Sequence, residues 1–321
     1  MYRLTLILPG VEGLAELREG SDPVDLDLPA WQIIRARSDF SPGDDAGFEA
    51  ALLNEFGVEA GIAALAVRAD LPDIDHSGVW LRADPVYLRA DRDHLRFFDA
   101  HVLGLEHAEA ETLAAEIAAI YADLGWQLHV AAPDRWYLRI DVEPAMRTHP
   151  PSEVIGRVVD PFLPQGPDGK RWHALLTEMQ MVLHMSPVNA ARERAGKLPV
   201  NSVWFWGNGP HVDIPARAGR TYADDPLAVA LGGQVADNLS SIDLANLDAA
   251  EVHVIDTRLS RPALYADAND WRDARVEIEG RWLEPGLRAL REKRVDELRV
   301  VGGQGQTWTL RRPHLWRFWR A

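Results

Sequence analysis

The apolar, aromatic run Val200-Asn-Ser-Val-Trp-Phe-Trp206 ends in Gly207-Asn208-Gly209, and Pro187-Val-Asn189, Arg192, Arg194 and Leu198-Pro199 precede it. A run of this kind reads as a buried strand. The turn after it offers bare backbone and an amide side chain at a strand end, where open α/β sheets bind ligands. The plainer reading is a core strand closed by a glycine turn. The N-terminal segment has the same grammar: Leu4-Thr-Leu-Ile-Leu8 stops at Pro9-Gly-Val-Glu-Gly13, and Leu14, Glu16 and Leu17 follow on a short helix. Strand, glycine turn and helix open an α/β fold.

Helices are predicted from Pro29 to Arg37 and from Gly47 to Phe56, the second with Phe48, Leu52 and Phe56 on one face. The pattern changes at Gly78. Val79-Trp-Leu81 and Val86-Tyr-Leu88 read as short strands, and Leu113, Ile117, Ile120, Tyr121 and Leu124 as a helix stripe ending near Gly125. Two alternating runs, Trp126 to Val130 and Trp136 to Val142, flank Pro133-Asp134 as a hairpin. Residues 80–165 therefore read as a small α+β insertion between two parts of an α/β core, 1–79 and 166–321. A long helix carrying Trp172, Leu175, Leu176, Met179 and Val182 leads to the Val200–Trp206 strand. Further strands (Val252–Ile255, Leu298–Val301) alternate with a helix carrying Val276, Trp282, Leu287 and Leu290.

With 321 residues, 47% of them hydrophobic, the chain can bury a full core. Its net charge of -15 argues against a nucleic-acid partner, whose affinity comes mainly from Lys and Arg at phosphates. No cysteine is present, so disulfides, thiolate metal sites and cysteine nucleophiles are excluded. No apolar run approaches a membrane span, and the N-terminal run is too short for a signal peptide, so the expected location is the cytoplasm with no membrane partner.

Four strings carry a resemblance: Trp80-Leu-Arg-Ala-Asp-Pro-Val-Tyr-Leu-Arg-Ala-Asp-Arg-Asp93, Leu176-Thr-Glu-Met-Gln-Met181, Pro187-Val-Asn189 and Leu198-Pro-Val-Asn-Ser-Val-Trp-Phe-Trp-Gly207. With them the chain resembles the RpfE-type regulatory proteins over nearly its whole length. More distantly, through the N-terminal strand, Pro150-Pro-Ser-Glu-Val-Ile-Gly156 and segment 187–209, it is similar to archaeal-type cofactor-independent phosphoglycerate mutases of the alkaline phosphatase superfamily. The resemblance implies an alkaline-phosphatase-like α/β sheet flanked by helices, with a small α+β insertion. In that superfamily the core holds two divalent metals and a serine or threonine nucleophile.

This chain departs from that pattern at four places. Pro9-Gly10-Val11 stands where the family has Pro-Asp-Gly, and Gly302-Gly303-Gln304 where a strand should end in Asp-His. Asp267-Ala-Asn-Asp-Trp271 has Trp in place of a His. Pro42-Gly43-Asp44-Asp45 places Asp44 where a serine nucleophile belongs. Two-metal phosphoryl transfer needs converging carboxylates and histidines, so the resemblance implies a degenerate site with no catalytic residue and no metal or other cofactor. An active mutase or phosphatase using Mn or Zn is the alternative.

Elsewhere, Asp73-Ile-Asp75-His76 and Asp91-Arg-Asp93-His94 read as solvated loop charge, and Gly302-Gly-Gln-Gly305 as a tight hairpin. The candidate ligand-binding set is Asn189, Arg192, Trp206, Asn208 and His211, with Asn201 nearby. Arginine and amides can hold an anion without a metal, while Asn189 and Asn201 fit a bracing role equally well. A phosphorylated small molecule or a protein is the expected partner. A pure interaction module docking through a sheet edge of the insertion is a third reading.

Overall fold

A computed structural model describes residues 2–14, 26–43, 47–210, 219–232, 234–235, 244 and 249–317. In chain order, β1 (Arg3–Ile7), α1 (Pro29–Arg37), β2 (Asp39–Ser41) and α2 (Gly47–Phe56) come first. Then follow α3 (Ile62–Asp70), β3 (Val79–Asp91), β4 (His94–Phe98), α4 (His107–Ile120), β5 (Gln127–Ala132), β6 (Arg135–Ile140), α5 (Pro151–Val154), α6 (Gly169–Met185), α7 (Pro187–Arg194) and β7 (Ser202–Trp206). The chain continues through β8 (Arg220–Ala223), α8 (Pro226–Ala230), β9 (Gln234–Val235), β10 (Glu251–Ile255), α9 (Ser260–Leu264), α10 (Ala268–Ile278), α11 (Glu284–Arg291), β11 (Glu297–Val301) and β12 (Thr307–Arg311). Two compact units result: Met1–Val58 with Asp213–Ala321, and Glu59–Val212.

The first unit is built on a seven-stranded sheet ordered β2-β12-β11-β1-β10-β8-β9. Strands β11, β1, β10, β8 and β9 are parallel, and β12 and β2 close one edge antiparallel. Parallel strands covered on both faces must be apolar along their length. Leu4, Leu6, Val252, Val254, Leu298 and Val300 accordingly pack with Trp282, Leu283, Leu287 and Leu290 in one core. One polar row breaks the rule. Thr5, His253 and Arg299 share a register level across β1, β10 and β11, and Glu55 of α2 meets Arg299 with two bonds of 2.5 and 3.1 Å. Helix α1 starts with Pro29 and has no side-chain cap of its own. Its orphan amides are taken instead by Glu279, which accepts from Ala30 N at 2.5 Å and Trp31 N at 3.2 Å.

The second unit holds an antiparallel sheet ordered β4-β3-β6-β5, with β7 also paired to β3. The segments expected as two short strands form one thirteen-residue strand, β3, which changes neighbours along its length. It pairs β6 over residues 79–82, β7 over 82–86 and β4 over 87–91. Pro85, which donates no amide, sits where β6 has left and β4 has not begun. There the Asp84 carboxylate accepts from Trp136 N at 3.1 Å, supplying the partner that the strand backbone does not. Helices α4 and α6 cover the sheet with Leu113, Ile117, Trp172, Leu176 and Met179.

Two expectations change with this topology. The aromatic strand β7 belongs to the antiparallel sheet of the second unit, not to the parallel core, because its apolar side chains complete the core under α4 and α6. For the same reason the inserted unit runs over Glu59–Val212 where 80–165 was expected, and takes in α3, α6, α7 and β7. Segments on both sides of it do share one sheet, since β1 lies between β10 and β11. Among the described residues no helix is long and apolar enough to cross a membrane.

Candidate functional site

Of the positions where the resemblance puts catalytic groups, those at 10, 271 and 302–303 lie by the carboxyl ends of β1 and β11. After β1 the chain turns at Gly10 with φ +92°, a left-handed conformation suited to glycine. A Cβ there would lie 2.5 Å from the Leu259 carbonyl oxygen and 2.9 Å from Ala263 Cβ, so no side chain fits this backbone. Trp271, on α10, donates its indole N–H to the Gly10 carbonyl at 2.9 Å. Asp267 is the N-cap of α10, accepting from the Asn269 and Asp270 amides at 3.1 Å each. After β11, Gly303 donates its amide to the Glu12 carboxylate at 3.2 and 3.4 Å. After β10, Asp256 is wholly buried and already committed: it accepts from Arg258 Nε and Trp282 Nε1, each at 2.8 Å. Asp224, after β8, accepts from the Thr257 amide and hydroxyl at 3.2 Å.

A two-metal centre does not fit these residues. Glycine stands at positions 10, 302 and 303, an indole bonded to the backbone stands at 271, and the buried carboxylate of Asp256 is neutralised by Arg258. Among the described residues no three His, Asp or Glu side chains gather to hold a metal ion. Asp44 and Asp45 lie outside the described residues. The other two clusters make local bonds: Asp75 accepts from Ser77 at 2.9 and 2.5 Å and His76 meets the Leu71 carbonyl at 2.9 Å, while Asp91 and His94, expected in a loop, are paired ends of β3 and β4, and Asp91 pairs Arg96 at 2.6 Å.

Behind the strand ends lies Arg275 of α10, with no exposed surface. Its guanidinium is 4.7 Å from the Trp31 ring and 6.0 Å from the Trp271 ring. None of its three side-chain nitrogens has a hydrogen-bond partner. Burial pulls this guanidinium down to about 10, against the opposing pull of Glu279 and Glu12. Desolvation pushes the Glu12 and Glu279 carboxyls up, and backbone amides and Arg275 work the other way.

The set around segment 187–209 is arranged differently. Asn189 is buried, donating to the Leu183 and Val200 carbonyls at 2.7 Å each and accepting from Val200 N at 2.9 Å. Arg192 is 1% exposed. It donates to the Leu198 carbonyl at 3.0 Å, to Glu109 at 2.5 Å and to the Leu103 carbonyl. Asn201 pairs with both backbone groups of Leu88, at 2.8 and 2.9 Å, and so prolongs the β3–β7 ladder by one side chain. These three side chains hold backbone groups in place, and Arg192 also pairs with the Glu109 carboxylate. Asn208 is half-buried, accepting from Thr148 Oγ1 at 2.9 Å and reaching the Met146 carbonyl at 3.4 Å. His211 lies outside the described residues.

Trp206 belongs to a buried charge cluster not evident in the sequence. Its indole donates to Asp84 Oδ2 at 2.7 Å, and Arg82 donates to Asp84 Oδ1 through Nε and one terminal nitrogen at 3.0 and 2.8 Å. Arg82 lies between the Tyr137 and Trp206 rings, about 5.0 and 5.1 Å from their centres. Tyr137 OH in turn donates to Asp70 at 2.7 Å. Burial pushes the Asp84 carboxyl up while Arg82 opposes it. The nearest signal in the sequence was Arg82-Ala-Asp84 with one residue between opposite charges, which puts both on the same face of a strand. Glu12 and Arg275 had no such signal, being 263 positions apart.

No family model matches the chain. It is 35% identical over 112 residues to a 2,3-bisphosphoglycerate-independent phosphoglycerate mutase of Methanosarcina mazei, covering 32% of this chain and 25% of the relative. To the enzyme of the same description from Methanosarcina acetivorans it is 29% identical over 181 residues, covering 53% of this chain and 43% of the relative. The matched stretches thus span less than half the length of these relatives. Among solved structures, the PH0037 protein of Pyrococcus horikoshii shares the fold, with a TM-score of 0.51, 15% identity and coverage of 96% of this chain and 86% of that one. Fold and kinship define a class: an α/β protein with an alkaline-phosphatase-like sheet flanked by helices. The chain is distantly related to the cofactor-independent phosphoglycerate mutases.

Proposed function

We propose that this chain is a binding protein on a phosphoglycerate mutase-type scaffold, without phosphoryl-transfer activity, that recognises a phosphorylated small molecule. Its role is regulatory, as the RpfE-type resemblance implies, and its place is the cytoplasm. One observation carries the reading: the strand end at Gly10 is closed. The backbone there admits no Cβ, and the Trp271 indole occupies its carbonyl. A catalytic carboxylate at that position would require α9 to move. Without a charge-neutralising pair of ions, the negative charge that develops on a transferring phosphoryl group has no stabilising partner. The strand-end amides and arginine side chains still favour an anionic ligand over a neutral one. Regulation through a protein partner is an outcome of the same test.

The test is turnover of 3-phosphoglycerate, and release of phosphate from it, with Mn2+ or Zn2+ supplied. The expected result is no turnover above the protein-free blank. Metal-dependent turnover that disappears in Asp256→Asn would overturn the reading and restore the enzyme. If the protein neither turns over nor binds phosphorylated metabolites but co-purifies stoichiometrically with one protein, the small-molecule half of the reading fails.

A further inference from the structure

Buried arginine nitrogens without partners are rare, because each lost hydrogen bond to a charged donor is costly. Arg275 has three. The aromatic faces of Trp31 and Trp271 hold the guanidinium in place, but a ring face does not satisfy N–H groups lying in the guanidinium plane. The charged groups acting on it are Glu12 and Glu279. Glu279 is occupied by the first-turn amides of α1, where the helix dipole already balances its charge. The Glu12 carboxylate is held by backbone amides, its own and those of Gly303 and Gly10. Its contacts to the Gly303 amide, 3.2 and 3.4 Å, are longer than the roughly 2.7–2.9 Å of a good charge-assisted bond. Glu12 keeps solvent-exposed surface as a residue although its carboxyl is desolvated, so its side chain can turn outward from the core.

We propose that this place is an anion site for a phosphate monoester group, formed by the Gly303 amide and the Arg275 guanidinium, in which the Glu12 carboxylate is a built-in competitor. A flat carboxylate offers two acceptors, whereas a tetrahedral phosphate presents three oxygens, enough to serve both the amides of the strand-end turn and the guanidinium on the neighbouring helix. Gly302 and Gly303 leave room for an anion to come close to the turn. A Cβ on Gly302 would stand 2.8 Å from the Glu12 carboxylate, and one on Gly303 3.3 Å from it. Binding therefore exchanges one anion for another. This site rests on the reading of the chain as a phosphometabolite-binding protein and gives that reading a location.

The test titrates inorganic phosphate and glycerol 3-phosphate, with glycerol as control, into the full chain by calorimetry, and follows the Gly303 amide by NMR. Glu12→Ala should bind both phosphates roughly tenfold more tightly than the unaltered protein, the worth of one displaced charge-assisted contact. Glu12→Gln should fall between the two. The Gly303 amide should shift on titration, and adding Arg275→Met to Glu12→Ala should remove the gain. Because Glu12 is exposed, its variants remain informative even if the arginine variant does not fold. If the unaltered protein binds a phosphate and Glu12→Ala binds it no better, the site is wrong while the broader reading stands. If no form of the protein binds either phosphate, both fall.

Discussion

Two arginines are buried in this molecule to the same degree and in opposite circumstances. Arg192, in the inserted unit, is 1% exposed and spends its nitrogens on two carbonyls and a carboxylate. Arg275, in the core unit, is 0% exposed and its side chain has no hydrogen bond. The difference separates structure from function more sharply than residue type does. A buried charge whose donors are all used is a clamp on the fold. One whose donors are idle costs stability as it stands, and it is the better place to look for a ligand.

Arg192→Met offers the largest test of the comparison. Removing the guanidinium leaves the Leu103 and Leu198 carbonyls and the Glu109 carboxylate without their partner. Breaking a buried pair in this way costs about 3–5 kcal/mol. Glu109 also forms the capping box of α4 through its bond to the Glu106 amide at 3.0 Å, so the loss should spread to that helix. Denaturant unfolding should show the midpoint fall strongly, with the transition of the inserted unit moving first. A loss under about 1 kcal/mol would mean that Arg192 is a clamp only in appearance.

Asn208→Leu comes next in size. The variant removes one good bond, from Thr148 Oγ1 at 2.9 Å, and one long contact to the Met146 carbonyl. A half-buried site can re-form such bonds with water, so the cost should be about 1 kcal/mol. Affinity for a phosphorylated ligand should be unaltered if the binding site is at the strand ends of the core unit. Abolished binding in a folded Asn208→Leu protein would return the functional surface to the Gly207-Asn208-Gly209 turn.

Much of the architecture was legible because it is written in short-range periodicity. The hairpin around Pro133-Asp134, the helices beginning at Pro29 and Gly47 and the strands at 252–255 and 298–301 all follow from it. The sheet to which β7 belongs was not legible. A fully apolar strand has no preferred face to reveal its partners, and its pairing with β3 depends on contacts 120 residues away, Arg82 with Trp206 among them. Strand β8 was missed for a related reason: Arg220-Thr-Tyr-Ala223 is short and only half apolar, and it is recognised as a strand mainly by its parallel pairing to β10. The polar residues divide along the same line. Asn189 and Arg192 were visible as polar side chains beside an apolar strand, but whether they serve a ligand or the backbone depends on where residues 103, 109, 183 and 198 lie. Glu12 and Arg275 come within reach of each other's charge only after the sheet has formed.

Arg275→Met should have the smallest effect, and its sign is the point. At neutral pH the guanidinium is charged, desolvated and without hydrogen bonds, and what it gains comes from two ring faces and from the fields of Glu12 and Glu279. Methionine fills a similar volume, keeps favourable contact with the same rings and carries no charge to desolvate. The lost cation–π term, about 1–2 kcal/mol when desolvated, is offset by relief of the burial penalty, so stability should stay within about 1 kcal/mol of the unaltered protein, with a gain as admissible as a loss. At high pH the two proteins should diverge. The folded-state pKa of Arg275 is depressed, so the unfolded chain binds the proton more strongly and the original protein gains stability as pH rises above about 10, while the methionine variant lacks that gain. Unfolding at pH 7 therefore decides the matter. A loss as large as that of Arg192→Met would show Arg275 to be a satisfied structural residue after all, and the contrast between the two arginines would collapse.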